Sequence, residues 1–265
     1  MKKNMEIIVA SFDGYSDIWG SFVKIFRKNW PDCPYNIRMV SNRLDCDGMD
    51  TIKTGAEIDW NTRVLKALES VNEEYVLLLL EDYLIGKRVD SSRIEEMMKL
   101  VNEKNMNYFR LTNFPKSRFT SYDDEYTCLY KDEEYAINLQ AAIWKVSYLK
   151  KMLHKYPGNA WQFEVGLLSE TIKSDHVPLE GCYTMLEDPL YIVNGVLKGQ
   201  WFPSAIRYFA KQGVTIDTAS RGSLTKGQVI KYEIVQLLKD SISYKTRKRL
   251  KKVAKKFGVK FVSEY

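Results

Sequence analysis

The chain has 265 residues, which is enough for one large α/β domain or two small ones. Its 45% hydrophobic and 28% charged residues are typical of a globular protein, and no apolar stretch approaches the roughly 20 residues of a membrane span. None of its four cysteines has a C-x-x-C partner, which argues against structural zinc and a disulfide framework and fits a reducing cytosol.

The N-terminal region predicts a βαβ unit. Residues 6–10 form an apolar strand that is too short to be the core of a signal peptide. A helix over 18–29 follows, with Asp17 expected as its cap, and residues 37–40 form the second strand. This order indicates a parallel, buried sheet.

The most informative segment is the run Tyr75-Val76-Leu77-Leu78-Leu79-Leu80, followed at once by Glu81-Asp82-Tyr83. A strand without polar alternation should be covered on both faces. In open α/β sheets ligands bind outside the carboxyl ends of the strands, and an acidic pair there can hold a hard cation and through it a phosphate. The alternative is that the acidic residues simply end the strand in solvent.

The remaining elements follow from periodicity and breakers. A serine at 91 or 92 is expected to cap the third helix. Residues 113–134 predict a loop or hairpin, and residues 188–212 an irregular region rich in Gly, Pro and aromatics. The other predicted segments are helices over 60–71, 93–104, 146–153, 161–172 and 228–238, and strands over 108–111 and 136–144. We expect one domain over 1–240 with a helical appendage over 241–265.

Three stretches carry a family resemblance: Ser11-Phe12-Asp13-Gly14-Tyr15-Ser16-Asp17-Ile18-Trp19, Leu80-Glu81-Asp82-Tyr83 and Trp161-Gln162-Phe163-Glu164. Their order resembles glycosyltransferases of the GT-A type, and more narrowly bacterial enzymes that build capsule, lipopolysaccharide or other surface glycans. The resemblance covers about the first two hundred residues. It implies a Rossmann-related three-layer α/β sandwich with a mostly parallel mixed sheet, and a nucleotide-diphosphate sugar, such as a UDP-sugar, as donor.

The resemblance also implies a metal site from which this chain departs. The usual metal motif of that family is Asp-x-Asp, whereas Glu81-Asp82-Tyr83 has tyrosine in place of the second aspartate. Asp82 is the expected ligand of Mg²⁺ or Mn²⁺, together with the donor phosphates. Glu81 is expected to point back into the fold, because side chains alternate along a strand.

The resemblance places the nucleotide at the loop after the first strand, where Ser11, Asp13, Tyr15 and Asp17 are the candidate contacts. Asp13 is the candidate for a base or ribose hydrogen bond, although Asp13-Gly14 is equally consistent with an ordinary turn. The leaving diphosphate needs positive charge, for which the candidates are Lys198, Arg221 and Lys226. Arg221 is preferred because Gly222 permits close backbone approach, and all three are otherwise ordinary surface charges.

An inverting transferase needs a base for the acceptor hydroxyl, and Glu164 is the candidate. The two aromatics before it would stack on sugar and raise its pKa by desolvation, whereas the simpler interpretation is a glutamate favoured at a helix start. Asp123 and Asp124 are rival bases, Gln140, Trp144 and Trp161 are acceptor contacts, and His176 is an extra metal ligand. Residues 194–201, with glycine hinges, predict either a lid or a surface loop.

The C-terminal 25 residues hold nine basic side chains against Glu264, a net charge of +8, so the first 240 residues carry −2 of the chain's +6. Leu250, Val253, Ala254 and Phe257 lie at helical spacing between the lysines, which predicts a basic amphipathic helix. Such a helix favours an anionic membrane surface over nucleic acid, since the body is nearly neutral. It would hold a cytoplasmic enzyme on the inner face of the plasma membrane, near a lipid-linked acceptor. A helix packed on the body is the alternative.

Three functions remain open on the sequence. The first is a glycosyltransferase acting on a bacterial glycan. The second is a non-catalytic nucleotide- or carbohydrate-binding module in which Glu81-Asp82-Tyr83 marks lost activity. The third, a nucleotidyltransferase, is disfavoured because residues 11–17 contain one glycine and no basic residue, whereas such enzymes use a Gly-rich, basic phosphate loop.

Overall fold

The central element is a mixed sheet of eight strands with helices on both faces. A computed structural model describes residues 4–55, 58–116, 125–171 and 176–241, with side chains described as far as residue 234. The strand order is β3-β2-β1-β4-β8-β6-β9-β7. Strands β8 and β7 run antiparallel to their neighbours and the other six run in one direction. The expected three-layer α/β architecture with a mostly parallel mixed sheet is therefore confirmed.

The strands and α-helices have these bounds: β1 Met5–Ala10, α1 Ser16–Asn29, β2 Ile37–Ser41, β3 Asp50–Lys53, α2 Trp60–Glu69, β4 Tyr75–Leu80, β5 Tyr83–Ile85, α3 Ser91–Glu103, β6 Tyr108–Arg110, β7 Tyr126–Tyr130, β8 Ala142–Lys145, α4 Val146–Lys155, α5 Ala160–Thr171, β9 Pro178–Met185, β10 Ile192–Asn194, β11 Val196–Leu197, β12 Gln200–Trp201, α6 Pro203–Ala210 and α7 Lys226–Ser241. Strands β10 and β5 form one small antiparallel sheet, and β11 and β12 another.

Strand β4 is covered on both faces, as its sequence predicts. Leu77 and Leu79 pack into a core with α1 and α3, whereas Val76 and Leu78 pack into a second core with α2, α4 and α5. All four side chains are at most 2% exposed. Because side chains alternate along a strand, one apolar run supplies both cores. The sheet is thereby fixed rigidly under the residues that follow β4.

Two predicted helix caps are wrong. The side chain of Asp90, rather than a serine at 91 or 92, accepts hydrogen bonds from the backbone at the start of α3. Asp17 lies inside the first turn of α1, where Tyr15 holds the cap position without a side-chain hydrogen bond. The Asp17 carboxylate instead accepts hydrogen bonds from Arg221, far along the chain.

Several element boundaries also differ from expectation. The predicted strand over 136–144 is only Ala142–Lys145, because residues 136–141 form bends in which backbone N–H groups donate to the side chains of Glu164 on α5 and of Asn138. Strands β9 and β5 were not predicted, nor was α6 within the region expected to be irregular. Strand β7 lies in the region predicted as loop or hairpin and pairs with β9.

The C-terminal appendage lies mostly outside the described residues. Helix α7 extends the predicted helix over 228–238 in both directions, and the predicted basic helix beyond residue 241 is not described. Within the part of the chain that the structure describes, no helix is long and apolar enough to cross a membrane.

Candidate functional site

One edge of the large sheet gathers nearly all of the candidate residues. Ala10 of β1 lies beside Leu80 of β4, so the segments that follow these two parallel strands leave the sheet together. Ala142 of β8 pairs with both Leu78 of β4 and Arg110 of β6, which brings the turn before β8 to the same edge. The sequence therefore places its acidic pair where open α/β sheets bind ligands.

The two carboxylates after β4 have different surroundings. Glu81 is 8% exposed and is hydrogen-bonded to the hydroxyl of Ser11, which also accepts a 2.8 Å bond from the Trp19 indole. Burial, with the charge of Asp82 in second place, raises the pKa of Glu81. Glu81 does point back into the fold, as expected. It is the better candidate for a protonated, structural carboxyl.

Asp82 is half-buried, and its backbone carbonyl accepts a 2.8 Å hydrogen bond from the Gly195 N–H. Burial raises the pKa of the Asp82 carboxyl, while the charge of Arg221 acts in the opposite direction. Asp82 is thus the partly accessible member of the pair, held in place by its main chain and facing a positive charge.

Arg221 makes most of its contacts with the loop after β1. Its guanidinium donates to both carboxylate oxygens of Asp17, at 2.9 and 2.6 Å, and its carbon lies 4.1 Å from the Tyr15 ring centroid. It also donates to the carbonyls of Gly14 and Gly199, both at 3.2 Å. Three of the predicted nucleotide-binding residues are therefore joined in one assembly, which we call the Arg221 clamp: Tyr15, Asp17 and Arg221.

Tyr15 is the member of the clamp on which the charges of the acidic pair also act. Burial raises the pKa of its phenol, the Arg221 charge lowers it, and the charges of Glu81 and Asp82 raise it. Its ring is also 5.0 Å from that of Phe12, at an interplanar angle of 42°. A half-exposed aromatic surface is thereby presented beside Asp82, suited to stacking on a planar group.

Asp13 is engaged with the loop after β2. Its carboxylate accepts backbone hydrogen bonds from Asn42, Arg43 and Leu44 at 2.9, 3.1 and 3.4 Å, and its own N–H donates to the Asn42 side chain at 3.2 Å. These bonds join the loops after β1 and β2. Asp13 therefore holds these two loops together, and the lone pairs of its carboxylate are already largely used.

A second group of residues adjoins the acidic pair on the β8 side. The Glu164 carboxylate accepts a 3.1 Å hydrogen bond from the Leu139 N–H, and burial raises its pKa. Gln140 lies next along the chain, with its side-chain nitrogen 3.5 Å from the Tyr83 hydroxyl. The charges of Asp82 and Glu164 both act on Tyr83, whose pKa burial raises well above its ordinary value. Both carboxylates therefore lie close enough to Tyr83 for their charges to act on its phenol.

The three predicted acceptor contacts differ in their exposure to solvent. Trp161 is 44% exposed, one helical turn before Glu164 on α5, and Gln140 is partly buried beside Tyr83. Trp144 is fully buried, with its ring 4.5 Å from that of Tyr108, and is a core residue. The idea that an acceptor contacts Trp144 is wrong, because Trp144 lies on β8 with its side chain in the core shared with α2, α4 and α5.

Other candidates lie elsewhere. Lys198 occupies the turn of the β11–β12 hairpin, and Lys226 is exposed at the start of α7. His176 stacks on Tyr130 at 4.1 Å and contacts Asp132 at 3.1 Å. Asp123 and Asp124 lie outside the described residues.

The segment predicted as a lid or surface loop is the β11–β12 hairpin with its flanking residues. Trp201 at its end is fully buried, and its backbone bonds to Gly222 and Leu224. Gly195 at its start bonds to Asp82 and accepts from Phe202. This segment is thus packed as a wall of the site, next to Asp82 and Arg221.

A divalent cation would find one accessible carboxylate here. Across the described ranges no group of three His, Cys, Asp or Glu side chains is placed to hold a metal. Magnesium is commonly bound by one or two carboxylates together with substrate phosphates, and Asp82 fits that role, since Glu81 is buried. The residues fit a metal that arrives with a diphosphate, and not a metal held by the protein alone.

Two residues of the candidate site, Arg63 and Tyr83, were not identified from the sequence. Arg63 of α2 is 5% exposed, lies 5.2 Å from the Phe12 ring centroid and lowers the pKa of Glu81 through its charge. Tyr83 was treated only as the residue that replaces an aspartate. Glu81 and Asp82 form a turn between β4 and β5, so strand alternation does not predict the position of the Tyr83 side chain, and nothing local marks Arg63.

Comparisons with known proteins give distant likenesses. No protein-family model matches the chain, and no curated protein matches it. Among solved structures, S. aureus TarS 1-349 is 10% identical with a TM-score of 0.42, covering 68% of this chain and 60% of its own. A cytidylyltransferase from Leptospira borgpetersenii is 14% identical with a TM-score of 0.40, covering 72% and 81%. An active-site mutant of LgtC is 14% identical with a TM-score of 0.36, covering 78% of each.

These likenesses are too weak to assign a family or an activity. The chain spans about 60% of the length of the TarS structure. TarS has also been solved with UDP and with UDP-GlcNAc. The geometry of the sheet edge is therefore the stronger guide to function.

Proposed function

We propose that the protein is a glycosyltransferase that moves a sugar from a nucleotide-diphosphate donor to a glycan acceptor. The observation that carries the proposal is that two half-buried carboxylates lie at the same edge of the sheet: Asp82 follows β4, and Glu164 accepts a hydrogen bond from Leu139 in the segment before β8. Two carboxylates with separate surroundings suit two separate roles. The aromatic and basic Arg221 clamp lies next to the first of them.

On this proposal the donor lies over the loops after β1 and β2. The nucleotide base stacks near Tyr15, above the floor built by Asp13, while the diphosphate reaches Asp82 and the edge of Arg221. Arg221 already bonds to Asp17, so its contribution to the diphosphate is chiefly the field of a fixed charge. Ser11 acts indirectly by holding Glu81.

Mg²⁺ or Mn²⁺, where bound, would be held by Asp82 and the donor phosphates and would stabilise the charge of the leaving diphosphate. The raised pKa of Asp82 reflects its burial beside Glu81. A cation favours the ionised carboxylate, so binding would release a proton wherever Asp82 is still protonated.

Glu164 is the proposed base. Its raised pKa brings it closer to neutrality, where a carboxylate is a more effective proton acceptor. The acceptor hydroxyl oxygen bonds to the anomeric carbon, the bond from that carbon to the diphosphate oxygen breaks, and the diphosphate leaves with the electron pair. The hydroxyl proton passes to Glu164. Gln140 and Trp161 flank this base and are the proposed acceptor contacts, and the resemblance favours a bacterial capsule or lipopolysaccharide glycan as acceptor.

The test is release of nucleoside diphosphate from a panel of UDP-, GDP- and ADP-linked sugars with Mg²⁺ or Mn²⁺, with UDP binding followed by calorimetry. We expect turnover in the wild type and loss of both turnover and metal-dependent binding in Asp82→Asn. Glu164→Gln should lose transfer and keep UDP binding. Glu170→Gln, on the same helix and paired with Lys155, is the matched control and should remain active.

Each alternative has its own outcome. Nucleotide binding with every donor inert would support the binding module and contradict the transferase. Release of pyrophosphate from nucleoside triphosphates and a sugar phosphate would identify a nucleotidyltransferase. That activity needs positive charge at the β1 loop, and here the charge comes from Arg221 rather than from the loop itself. Full activity of Glu164→Gln would remove Glu164 as the base.

A further inference from the structure

Arg110 is a buried arginine at the carboxyl end of β6, on the sheet edge that carries the candidate site. It is 1% exposed, and burial lowers the pKa of its guanidinium. Burying a charge is costly, but the guanidinium also provides a rigid fork of donors. That fork reaches three separate segments through uncharged oxygens: Oγ1 of Thr184 at 3.0 Å, the carbonyl of Pro115 at 2.8 Å, and the carbonyls of Tyr135 and Ala136, both at 3.4 Å.

One of these segments, residues 135–141, leads into β8 and holds groups of the candidate site; we call it the β8 turn. The Leu139 N–H in this turn donates to the Glu164 carboxylate at 3.1 Å. The side-chain nitrogen of Gln140, next along the chain, lies 3.5 Å from the Tyr83 hydroxyl. The position of the β8 turn therefore sets the position of Gln140 and of the hydrogen-bond donor to Glu164.

The β8 turn begins at a residue with a strained backbone. Tyr135 has a φ of 55°, in the left-handed region that residues other than glycine seldom adopt. Its carbonyl accepts a 2.9 Å hydrogen bond from the Asn138 side chain as well as the bond from Arg110. The Asn138 side-chain oxygen in turn accepts from the Gln140 N–H at 2.9 Å. Strained residues persist where their surroundings fix them, and they cluster at functional sites. Here Arg110 and Asn138 fix the strained residue from two sides of its carbonyl.

We propose that Arg110 is a positioning residue, which holds the β8 turn so that Glu164 and Gln140 face the acceptor. The inference rests on the proposed function, because the turn serves this reaction only if Glu164 takes the acceptor proton. Arg110 itself touches no substrate, since its donors are directed to the protein. The nucleotide side of the site is built from the loops after β1 and β4 and from Arg221, so donor binding should not depend on Arg110.

The first test follows amide hydrogen exchange of the full chain by NMR, which needs no substrate. Arg110→Met should speed the exchange of the Leu139 N–H at least about tenfold, because the turn would open more often. Arg38→Met is the matched control, since it removes an arginine of β2 that pairs with buried Glu6, far from the β8 turn. It should leave Leu139 exchange unchanged. Arg110→Lys keeps the charge and loses the fork, so it should behave as Arg110→Met does and replaces it if that variant does not fold.

The second test separates catalysis from donor binding. In the transferase assay, Arg110→Met should lower kcat about 10- to 100-fold, because Glu164 and Gln140 would be misplaced. The Kd of UDP, measured by calorimetry, should stay at the wild-type value, whereas general damage to the fold would weaken both. Unchanged exchange at Leu139, or UDP binding that weakens as much as kcat falls, would overturn the proposal. Faster Leu139 exchange in a chain that is inert toward every donor would refute the proposed function, while showing that Arg110 does hold the β8 turn.

Discussion

The Arg221 clamp should contribute measurably to stability, because it ties the C-terminal part of the chain to the loop after β1. The side chains of Arg221 and Asp17 are 11% and 23% exposed, so the pair is better protected from solvent than an ordinary surface pair. Its two hydrogen bonds are charge-assisted, and such bonds contribute about 1.5–3 kcal/mol. The Tyr15 ring adds about 0.5–1 kcal/mol through the cation–π contact.

Arg221→Ala should therefore lower the free energy of unfolding by about 3 kcal/mol. A double-mutant cycle with Asp17→Asn, followed by urea denaturation, isolates the pair, and we expect a coupling energy of about 1–2 kcal/mol. Asp32 and Arg88 provide the control, since their side chains are 53% and 62% exposed and such pairs are worth about 0–1 kcal/mol. Equal coupling energies in the two cycles would refute the reasoning, because partial burial would then add nothing.

Three further predictions concern the acidic pair, the base and the wall of the site. The pKa of Glu81 is raised in the folded state, so above about pH 4.3 the native state binds more protons than the unfolded state. The free energy of unfolding should therefore fall as pH rises, by up to about 1.4 kcal/mol per pH unit. Glu81→Gln should lessen that fall in urea denaturation between pH 5 and 8; parallel curves would contradict it. Glu164→Gln should lower kcat by about 10²- to 10⁴-fold. In the wild type, kcat/KM should fall at acidic pH with an apparent pKa higher than that of an ordinary glutamate, and this fall should be absent in the variant. Gly195→Ala should lower the stability of the protein by about 1–3 kcal/mol in thermal unfolding, since the new methyl would meet Leu84 at 2.9 Å and Trp201 at 3.0 Å. An unchanged Tm would contradict this prediction, because it would mean that the neighbouring side chains move aside without cost.

The buried strands were predictable because their signal is local. Strand β4 is an uninterrupted apolar run, and burial on both faces follows directly from it. Strand β9 was missed because it contains Pro178, Glu180 and Gly181 and is buried only towards its C-terminal end. Its pairing with β6 and β7, distant in sequence, stabilises it. Tertiary pairing of this kind leaves little trace in a single sequence.

The residues of the candidate site likewise include some that local sequence predicts and some that only distant contacts bring together. Asp82 was placed at the sheet edge by the strand that precedes it. Glu164 was proposed from the two aromatics before it, but Phe163 is fully buried against Trp60 and cannot stack on a sugar. The contact of Arg221 with Asp17 joins residues 204 positions apart, so the sequence supplied the two charges and not their pairing. Asp17 was accordingly mistaken for a helix cap, an equally good local use of an aspartate.

The departure from Asp-x-Asp has a physical consequence on the proposed function. In an extended strand the first and third residues of such a motif face the same side, so two aspartates would share one cation. Here the first position is Glu81, buried against Ser11, and the third is Tyr83, whose hydroxyl lies 3.5 Å from the Gln140 side chain. Neither position therefore offers a second accessible carboxylate to a cation. Asp82 therefore remains as the one ligand for a cation, and metal affinity should depend on the diphosphate that binds with it.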